Sequence, residues 1–156
     1  MFTLRKAEVS DIPQLFALFI ATTSHVNIRD YTPQQIQAWQ QKANLARWEE
    51  LYHSDLDFII AENEHHEMVG FTSINAKGYL HSMYVHYNFQ RRGLASLLLA
   101  EAEQYAKQHN ITAITSDISL TARPFFDRAG YTVIKEQQVQ IGDVMLTNFL
   151  MRKEIQ

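Results

Sequence analysis

The first half of the chain has one strand-like pattern of apolar residues followed by three helix-like patterns. Phe2–Ala7 alternates apolar and polar positions and is predicted to form a strand. Apolar residues then recur with helical spacing from Ile12 to Ile20. Thr32-Pro33 is a good start for a shorter helix, because proline is tolerated in a first helical turn and Gln35 is placed for a capping box. The apolar residues between Asn44 and His53 predict a second short helix. The pattern therefore predicts a helical segment over about residues 10–53.

The second half is richer in strands. Three apolar runs separated by polar turns predict consecutive strands, and later patterns predict a long helix, a strand, a short helix and two final strands. In chain order these elements are Asp57–Glu62, Met68–Ile74, Leu80–Val85, Ser96–Gln108, Ile111–Ile118, Leu120–Ala129, Tyr131–Val139 and Met145–Arg152. The order β-α-α-α-β-β-β-α-β-α-β-β favours a single α/β domain over residues 1–156, built on a mixed (α+β) sheet.

The composition is that of an ordinary globular protein, and it excludes several classes of site. The 156 residues are 46% hydrophobic and 20% charged, and the formal net charge of −3 argues against a dedicated nucleic-acid binder. There is no cysteine, which excludes disulfides, thiolate metal sites and a cysteine nucleophile. No apolar run is long enough to cross a membrane, and the N-terminus lacks an apolar signal core. We therefore expect a cytoplasmic enzyme of bacterial type, without a membrane or nucleic-acid partner.

The stretch Gln90-Arg91-Arg92-Gly93-Leu94-Ala95, followed by Ser96, is the strongest candidate for binding chemistry. It joins a predicted strand to a predicted helix, where consecutive backbone N–H groups meet the positive end of the helix dipole. Its two arginines add positive charge, and its glycine lets the backbone approach a ligand closely. These features predict a binding site for phosphate groups.

The pattern does not support other chemistries. His65 and His66 are adjacent in a charged turn, and neighbours on an extended chain point in opposite directions. No two histidines have the spacing that places both on one helix face, so no metal is expected. The sequence also contains no Gly-x-x-x-x-Gly-Lys-Ser/Thr motif, which argues against a nucleotide P-loop.

Two motifs, each on the right element and in the right order, give the chain a resemblance to a known family. The stretch Gln90–Ala95 matches the phosphate motif Gln/Arg-x-x-Gly-x-Gly/Ala of the GNAT (GCN5-related) N-acetyltransferases. The segment Ala122–Tyr131 resembles their later motif, Ala-x-x-Phe-Tyr-x-x-x-Gly-Phe. Because the order of elements agrees as well, the resemblance covers nearly the whole chain. Segments 30–39 and 147–152 also resemble one bacterial subgroup of that family.

The resemblance implies a central mixed sheet of six to seven strands, with helices on both faces. It also implies a V-shaped splay between the fourth strand, Leu80–Val85, and the fifth, Ile111–Ile118. Acetyl-CoA would lie in this gap, with its pantetheine arm along the free edge of the fourth strand and its pyrophosphate on the turn. The residues that the resemblance implies in cofactor binding are Met83, Tyr84, Val85, Gln90, Arg91, Arg92, Gly93, Leu94, Ala95, Ser96, Ser119, Ala122, Phe125 and Phe126.

The chemistry implied is transfer of an acetyl group from acetyl-CoA to a primary amine. Without cysteine, an acetyl-cysteine intermediate is impossible, so direct transfer in a ternary complex is expected. His81 is a candidate general base, since its intrinsic pKa suits the role; Asp117 and Glu62 are weaker candidates, and a water chain is an alternative to all three. The backbone N–H of Tyr84, or that of its neighbour Met83, is the candidate oxyanion donor.

Two positions depart from the family pattern. The tyrosine that family members often carry near the sulfur as a proton donor is replaced here by Phe126. Ser119 stands where the family has an asparagine, and it either contacts pantetheine and the thiol, caps the helix that follows, or does both. The leaving thiolate can also be protonated by water, because a thiol with a pKa near 8.5 is a tolerable leaving group.

The acceptor pocket is expected to use the helical segment. His25, Asp30, Tyr31 and Trp39 are the candidate substrate-binding residues, with simple packing on the sheet as the alternative for Trp39. Two other functions remain open. The loss of the tyrosine suggests a non-catalytic acetyl-CoA-binding regulatory or interaction module. The strands Tyr131–Val139 and Met145–Arg152 suggest pairing across a subunit edge, as in a homodimer.

Overall fold

The computed structural model describes all residues, 1–156, and contains five helices and seven strands. The helices are α1 (Ile12–His25), α2 (Pro33–Lys42), α3 (Leu45–Tyr52), α4 (Leu94–Gln108) and α5 (Arg123–Arg128). The strands are β1 (Thr3–Lys6), β2 (Leu56–Glu62), β3 (Met68–Asn75), β4 (Leu80–Val85), β5 (Ala113–Ser119), β6 (Thr132–Ile141) and β7 (Val144–Glu154). Short 3-10 turns occur at Val9–Asp11, Asn27–Arg29 and Tyr87–Phe89.

The order of helices and strands predicted from the sequence is confirmed, and the bounds differ where local hydrogen bonds override the apolar pattern. Helix α5 begins at Arg123 rather than Leu120, because Ser119 Oγ accepts from the N–H of Ala122 and holds the preceding residues in a turn. The final hairpin is longer than predicted, since only Gly142-Asp143 separates its two strands.

The strands form two antiparallel halves that meet at one point. One half has the order β1-β2-β3-β4 and the other β5-β7-β6. Tyr79 forms a single parallel bridge with Thr115, whose N–H donates to the carbonyl oxygen of Gly78 at 2.9 Å. Ser116 Oγ also donates to the carbonyl oxygen of Leu80. Beyond this junction β4 and β5 separate, which produces the expected V-shaped gap.

A bulge in β4 lies next to this junction. Ser73 pairs with Ser82 and Ile74 pairs with Leu80, so His81 has no partner in β3. An extra residue bends a strand and increases its local twist. His81 is therefore located where β4 turns away from β5.

Helices cover both faces of the first half of the sheet. Helices α1 and α3 pack on one face around Phe19 and Trp48, which are both fully buried. Helix α4 packs on the other face, and Gly70 of β3 allows it to come close. A Cβ on Gly70 would lie 3.1 Å from the carbonyl oxygen of Tyr84 and 3.2 Å from Leu98 Cδ1. The absence of a side chain at Gly70 therefore permits the close packing of α4 on β3.

The second half of the sheet has one strand with a free outer edge. Strand β7 lies between β5 and β6, so it has no edge left to pair with another chain. Of the two strands predicted to pair across a subunit boundary, only β6 has the required geometry, and the homodimer stays a prediction. None of the helices has both the length and the apolar character needed to cross a bilayer.

Candidate active site

A cavity of about 790 Å³ occupies the gap between β4 and β5. The turn after β4 and helix α5 line part of it, and the helical segment α1–α3 and the β6–β7 hairpin line the rest. Concave sites of roughly 300–1,000 Å³ are the usual size for cofactors and small substrates. The gap is therefore large enough to hold the arm of a cofactor together with a small acceptor.

The register of β3 and β4 determines which main-chain groups face this gap. The N–H of His86 donates to β3 at 2.8 Å, and the alternation of an antiparallel ladder then turns the N–H of Tyr84 toward Phe71. The N–H and C=O groups of Met83 and Val85 point the opposite way, into the gap. The expectation that Tyr84 supplies the oxyanion donor is therefore corrected, since the outward N–H at this point belongs to Met83.

The turn at residues 90–95 is folded back on the end of β4. Gln90 Nε2 donates to the carbonyl oxygen of Val85 at 2.6 Å. Gly93 has a φ of 78°, and no protein atom lies within 4 Å of the position that a Cβ would take there. Glycine is thus required by the backbone conformation, and the space beside it is free for a ligand.

Helix α4 directs unpaired donors into the same space. Its first intrahelical bond runs from the N–H of Leu97 to the carbonyl oxygen of Gly93, at 3.0 Å. The N–H groups of residues 94–96 precede this bond and have no partner in the helix. These donors and the helix dipole give the turn the local geometry that an anion site needs, and phosphate binding there stays a prediction.

The two arginines of the turn have different surroundings. Arg91 lines the cavity and has a positive φ of 61°. Arg92 does not line the cavity, because its guanidinium lies over the ring of Phe89 at 5.1 Å. The structure therefore puts Arg92 outside the site predicted for it. Arg128, which the sequence motifs did not single out, lines the cavity from the end of α5.

The second motif lines the other side of the gap through Ser119, Ala122, Phe125 and Phe126. Ser119 Oγ accepts from Ala122 at 3.1 Å, so it supports the turn before α5 and keeps its own proton free to donate. Phe126 is only 2% exposed and meets the ring of Tyr131 edge-on, with centroids 5.2 Å apart. Phe126 therefore contributes packing and cannot donate a proton.

His81 lies in the gap, with its Nδ1 buried and without a hydrogen-bond partner. Burial is the main reason that the pKa of His81 falls to about 4. The positive charge of Arg47 acts in the same direction, and the carboxylate of Asp117 acts against it. His81 is therefore neutral at pH 7, with a free lone pair, but it is a weaker base than an ordinary histidine.

Tyr31 and Trp39 line the cavity, where the sequence predicts substrate contacts. The hydroxyl of Tyr31 donates to the carbonyl oxygen of Thr147 at 2.7 Å and accepts from the N–H of Leu120 at 2.9 Å. Its ring meets that of Trp39 at 5.8 Å. Because both hydrogen-bonding functions of the hydroxyl are used, Tyr31 joins the walls of the cavity and leaves its ring for an acceptor.

The other two predicted substrate residues lie elsewhere. His25 is exposed on the last turn of α1, where its ring stacks on Tyr87 with centroids 4.0 Å apart and its Nδ1 lies 2.9 Å from the carbonyl oxygen of Ala21. Asp30 is exposed and does not line the cavity. His25 ends α1 and Asp30 ends the 3-10 turn that follows it, and neither side chain lines the gap.

Asp117, a weaker candidate for the base, lies at the closed end of the gap in a hydrogen-bonded group that was not predicted. The hydroxyl of Tyr79 donates to Asp117 Oδ2 at 2.7 Å, and Gln137 Nε2 donates to Asp117 Oδ1 at 2.8 Å. Burial, and then the carboxylate, raise the pKa of Tyr79. Tyr79 precedes β4, Asp117 is in β5 and Gln137 is in β6, and no spacing in the sequence connects them. Glu62, a weaker candidate for the base, forms an ion pair with Arg5 at 3.1 Å outside the cavity.

Comparison with known proteins agrees with this geometry. The sequence profile of the family described as "Acetyltransferase (GNAT) domain" matches residues 27–154. The chain is 34% identical over 149 residues to the uncharacterized N-acetyltransferase YafP of Escherichia coli K12, covering 96% of this chain and 93% of that protein.

Solved structures agree as well. A GCN5-related N-acetyltransferase from Rhodopseudomonas palustris, described as a class-II aminotransferase, superposes with a TM-score of 0.90 at 27% identity, over 97% of this chain and 94% of that one. The PaiA N-acetyltransferase of Thermoplasma acidophilum, solved with coenzyme A, superposes with a TM-score of 0.78 at 17% identity, over 99% of both chains. The fold, the cavity and the matching profile lead to one conclusion: the chain belongs to the GNAT family of acetyltransferases, whose chemistry is acetyl transfer.

Proposed function

We propose that the protein transfers an acetyl group from acetyl-CoA to a primary amine of a small molecule or peptide, directly within a ternary complex. The observation that carries the proposal is the gap between β4 and β5. It combines outward main-chain groups on one strand with unpaired helix donors at its end. The same cavity extends past His81 to the helical segment, which leaves room for an acceptor.

The residues of the gap match the parts of the cofactor. Met83 offers its outward N–H and C=O groups to the amides of pantetheine, as an added strand would use them. Val85 offers only its N–H, because its carbonyl oxygen already accepts from Gln90 and Thr22. The N–H groups of residues 94–96 and the charge of Arg91 suit the pyrophosphate. The N–H of Met83 is the candidate donor to the carbonyl oxygen that becomes negative during transfer.

Proton transfer is assigned to His81 and Ser119. The ammonium must lose a proton before its nitrogen can attack, and the neutral ring of His81 accepts that proton, directly or through water. Ser119 retains a hydroxyl proton that can be donated to the leaving sulfur. Without cysteine, the acetyl group passes straight from the thioester to the amine.

Acetyl-CoA consumption with a panel of primary amines tests this proposal. We expect turnover that requires both substrates and falls at least tenfold in His81→Gln, because general acid–base catalysis contributes roughly 10²–10⁴-fold. His65→Gln, on an exposed turn, is the matched control and should keep wild-type activity. Absence of both acetyl-CoA binding and turnover would overturn the proposal.

A second function, a non-catalytic acetyl-CoA-binding module, is favoured by Phe126 alone. Tight acetyl-CoA binding without transfer to any amine would support it. Phe126→Tyr separates the two cases, because the new hydroxyl restores the proton donor that family members often have. If the protein is a catalyst that uses Ser119 or water instead, this substitution gives no gain in rate. A large gain would assign the missing activity to this position.

A further inference from the structure

The acceptor half of the cavity is positively charged, although the whole protein has a net charge of −3. Three cations of the helical segment line it: Arg29, Lys42 and Arg47, here called the cationic wall. Asp117 is the one carboxylate among all the residues that line the cavity. The potential that an acceptor meets at this wall is therefore opposite in sign to the net charge of the molecule.

Carboxylates of the protein do little to neutralise the wall. Arg29 and Lys42 form no ion pair. Arg47 has one partner, Glu50, at 3.8 Å on the surface of α3, and its side chain stays 51% exposed. A loose pair of this kind contributes little. Asp117 keeps its negative charge, but it is a single carboxylate against three cations and its partners are the neutral groups of Tyr79 and Gln137.

A buried amide adjoins the wall. Asn27 is 5% exposed, lines the cavity and makes no side-chain hydrogen bond within the protein. The amide oxygen and nitrogen of Asn27 are not sealed within the protein, so they are open to the cavity and available to a ligand. Since Asn27 precedes Arg29 on the same short turn, its NH₂ group adds a neutral donor to the positive charges.

Opposite charges flank the reacting position. Burial has the largest effect on the pKa of His81, which lies at the bulge. The positive charge of Arg47 lowers this pKa further, and the carboxylate of Asp117 raises it. Arg47, Asp117 and His81 all line the same cavity. An acceptor with an amine at one end and an anion at the other is complementary to this arrangement.

We propose that the acceptor is a small amino acid-type molecule, whose carboxylate is held by the cationic wall and Asn27 while its amine lies between His81 and Asp117. This inference rests on the proposed acetyl transfer and names its substrate class. Carboxylates suit arginine and amide donors, because charge-assisted hydrogen bonds are the stronger kind. A neutral or polycationic amine carries no negative group that could offset the positive charge of the cationic wall.

Matched acceptors that differ only at the anion test the inference. Each ω-amino acid of two to four carbons would be compared with its primary amide and with the corresponding aminoalkyl phosphonate, by kcat/KM. We expect the wild-type protein to prefer the carboxylate over the amide by roughly tenfold or more, as hydrogen bonds to charged groups allow. Arg47→Gln and Lys42→Gln should remove most of this preference and leave the KM for acetyl-CoA unchanged.

Lys107→Gln is the control, since Lys107 is exposed at the end of α4 and does not line the cavity. It should keep the wild-type preference. Equal or better turnover of the amides would overturn the inference and leave N-acetyltransferase activity standing. A stronger preference for phosphonates would overturn the choice of carboxylate. Weaker acetyl-CoA binding in Arg47→Gln would assign the charge to the cofactor and also overturn it.

A binding measurement covers the case in which no acceptor is turned over. Calorimetry on the CoA-loaded protein compares an amino acid with its amide, in the wild type and in Arg47→Gln. Tighter binding of the carboxylate that disappears in the variant would support the wall as an anion site, even if acetyl transfer fails. Equal binding of the two ligands would overturn the inference independently of any activity.

Discussion

Gly78 lies so close to Ala113 that a Cβ on Gly78 would stand 2.5 Å from the carbonyl oxygen of Ala113. The contact is next to the single bridge that joins β4 to β5, between Tyr79 and Thr115. Gly78 also has a φ of 87°, which side chains rarely adopt. This pair of residues therefore determines where the two strands meet, and so where the gap begins.

Gly78→Ala should be one of the more destabilising single substitutions in the protein. Its methyl group collides with backbone on β5, and backbone cannot move aside as a flexible side chain can. We expect the free energy of unfolding to fall by about 3 kcal/mol or more, from strain and overpacking together. Chemical denaturation measures it. Gly142→Ala is the control, because Gly142 also has a positive φ, of 58°, but has no atom within 4 Å of a Cβ. It should lose about 1 kcal/mol.

Gly93→Ala should impair cofactor binding more than folding. Gly93 shares with Gly142 a positive φ and open space, so the two substitutions carry a similar backbone cost. Only Gly93 borders the predicted phosphate site. We expect acetyl-CoA affinity to fall roughly tenfold or more in Gly93→Ala and to stay unchanged in Gly142→Ala, because a displaced turn misaligns charge-assisted bonds. Calorimetric titration with acetyl-CoA measures the affinity of both variants. Equal affinities in the two variants would contradict the assignment of the turn.

His81 should make the stability of the protein depend on pH. The pKa of His81 is about 4 in the folded protein and about 6.5 in the unfolded chain, so the folded protein takes up this proton only at a lower pH. Between these values the unfolded state holds more protons, so stability is complete above about pH 6.5 and falls as the pH decreases toward 4. The loss from this residue is up to about 3 kcal/mol.

Denaturant unfolding at several pH values measures this effect. His81→Gln should show a shallower decline between pH 6.5 and 4 than the wild type. His65→Gln, on the exposed turn, reports the effect of losing a histidine elsewhere. If His81→Gln and the wild type decline in parallel, burial of His81 is not the cause.

Tyr31→Phe should affect the acceptor more than the cofactor. The substitution removes the hydrogen bond to Thr147 and leaves the N–H of Leu120 without its partner. We expect a loss of about 1–3 kcal/mol in unfolding free energy, since an unsatisfied buried donor carries its full desolvation cost. The KM for the amine should rise while that for acetyl-CoA changes little. Tyr87→Phe, at an exposed tyrosine, should change neither KM.

The order of elements and the phosphate turn could be predicted from the sequence because their causes are local. Apolar periodicity is set by neighbours a few residues apart, and a left-handed glycine before a helix has the same meaning in any fold. The prediction failed for residues whose direction depends on how side chains pack in the folded protein. His25 stacks on Tyr87, which is far away in the chain. Arg92 packs over Phe89, which is near in the chain, but the motif does not show which way the arginine turns.

The sequence by itself therefore determined the family and the order of strands and helices, and it predicts the anion-binding turn at Gly93. Only the tertiary structure decided that the N–H of Met83, and not that of Tyr84, faces the gap. The register of β3 and β4 assigns each main-chain donor to one edge of the strand or the other. It also decided the state of His81, since the loss of water that lowers its pKa comes from burial by distant segments. The cationic wall also depends on the tertiary structure, because Arg29, Lys42 and Arg47 line one cavity only when the helical segment packs against the sheet.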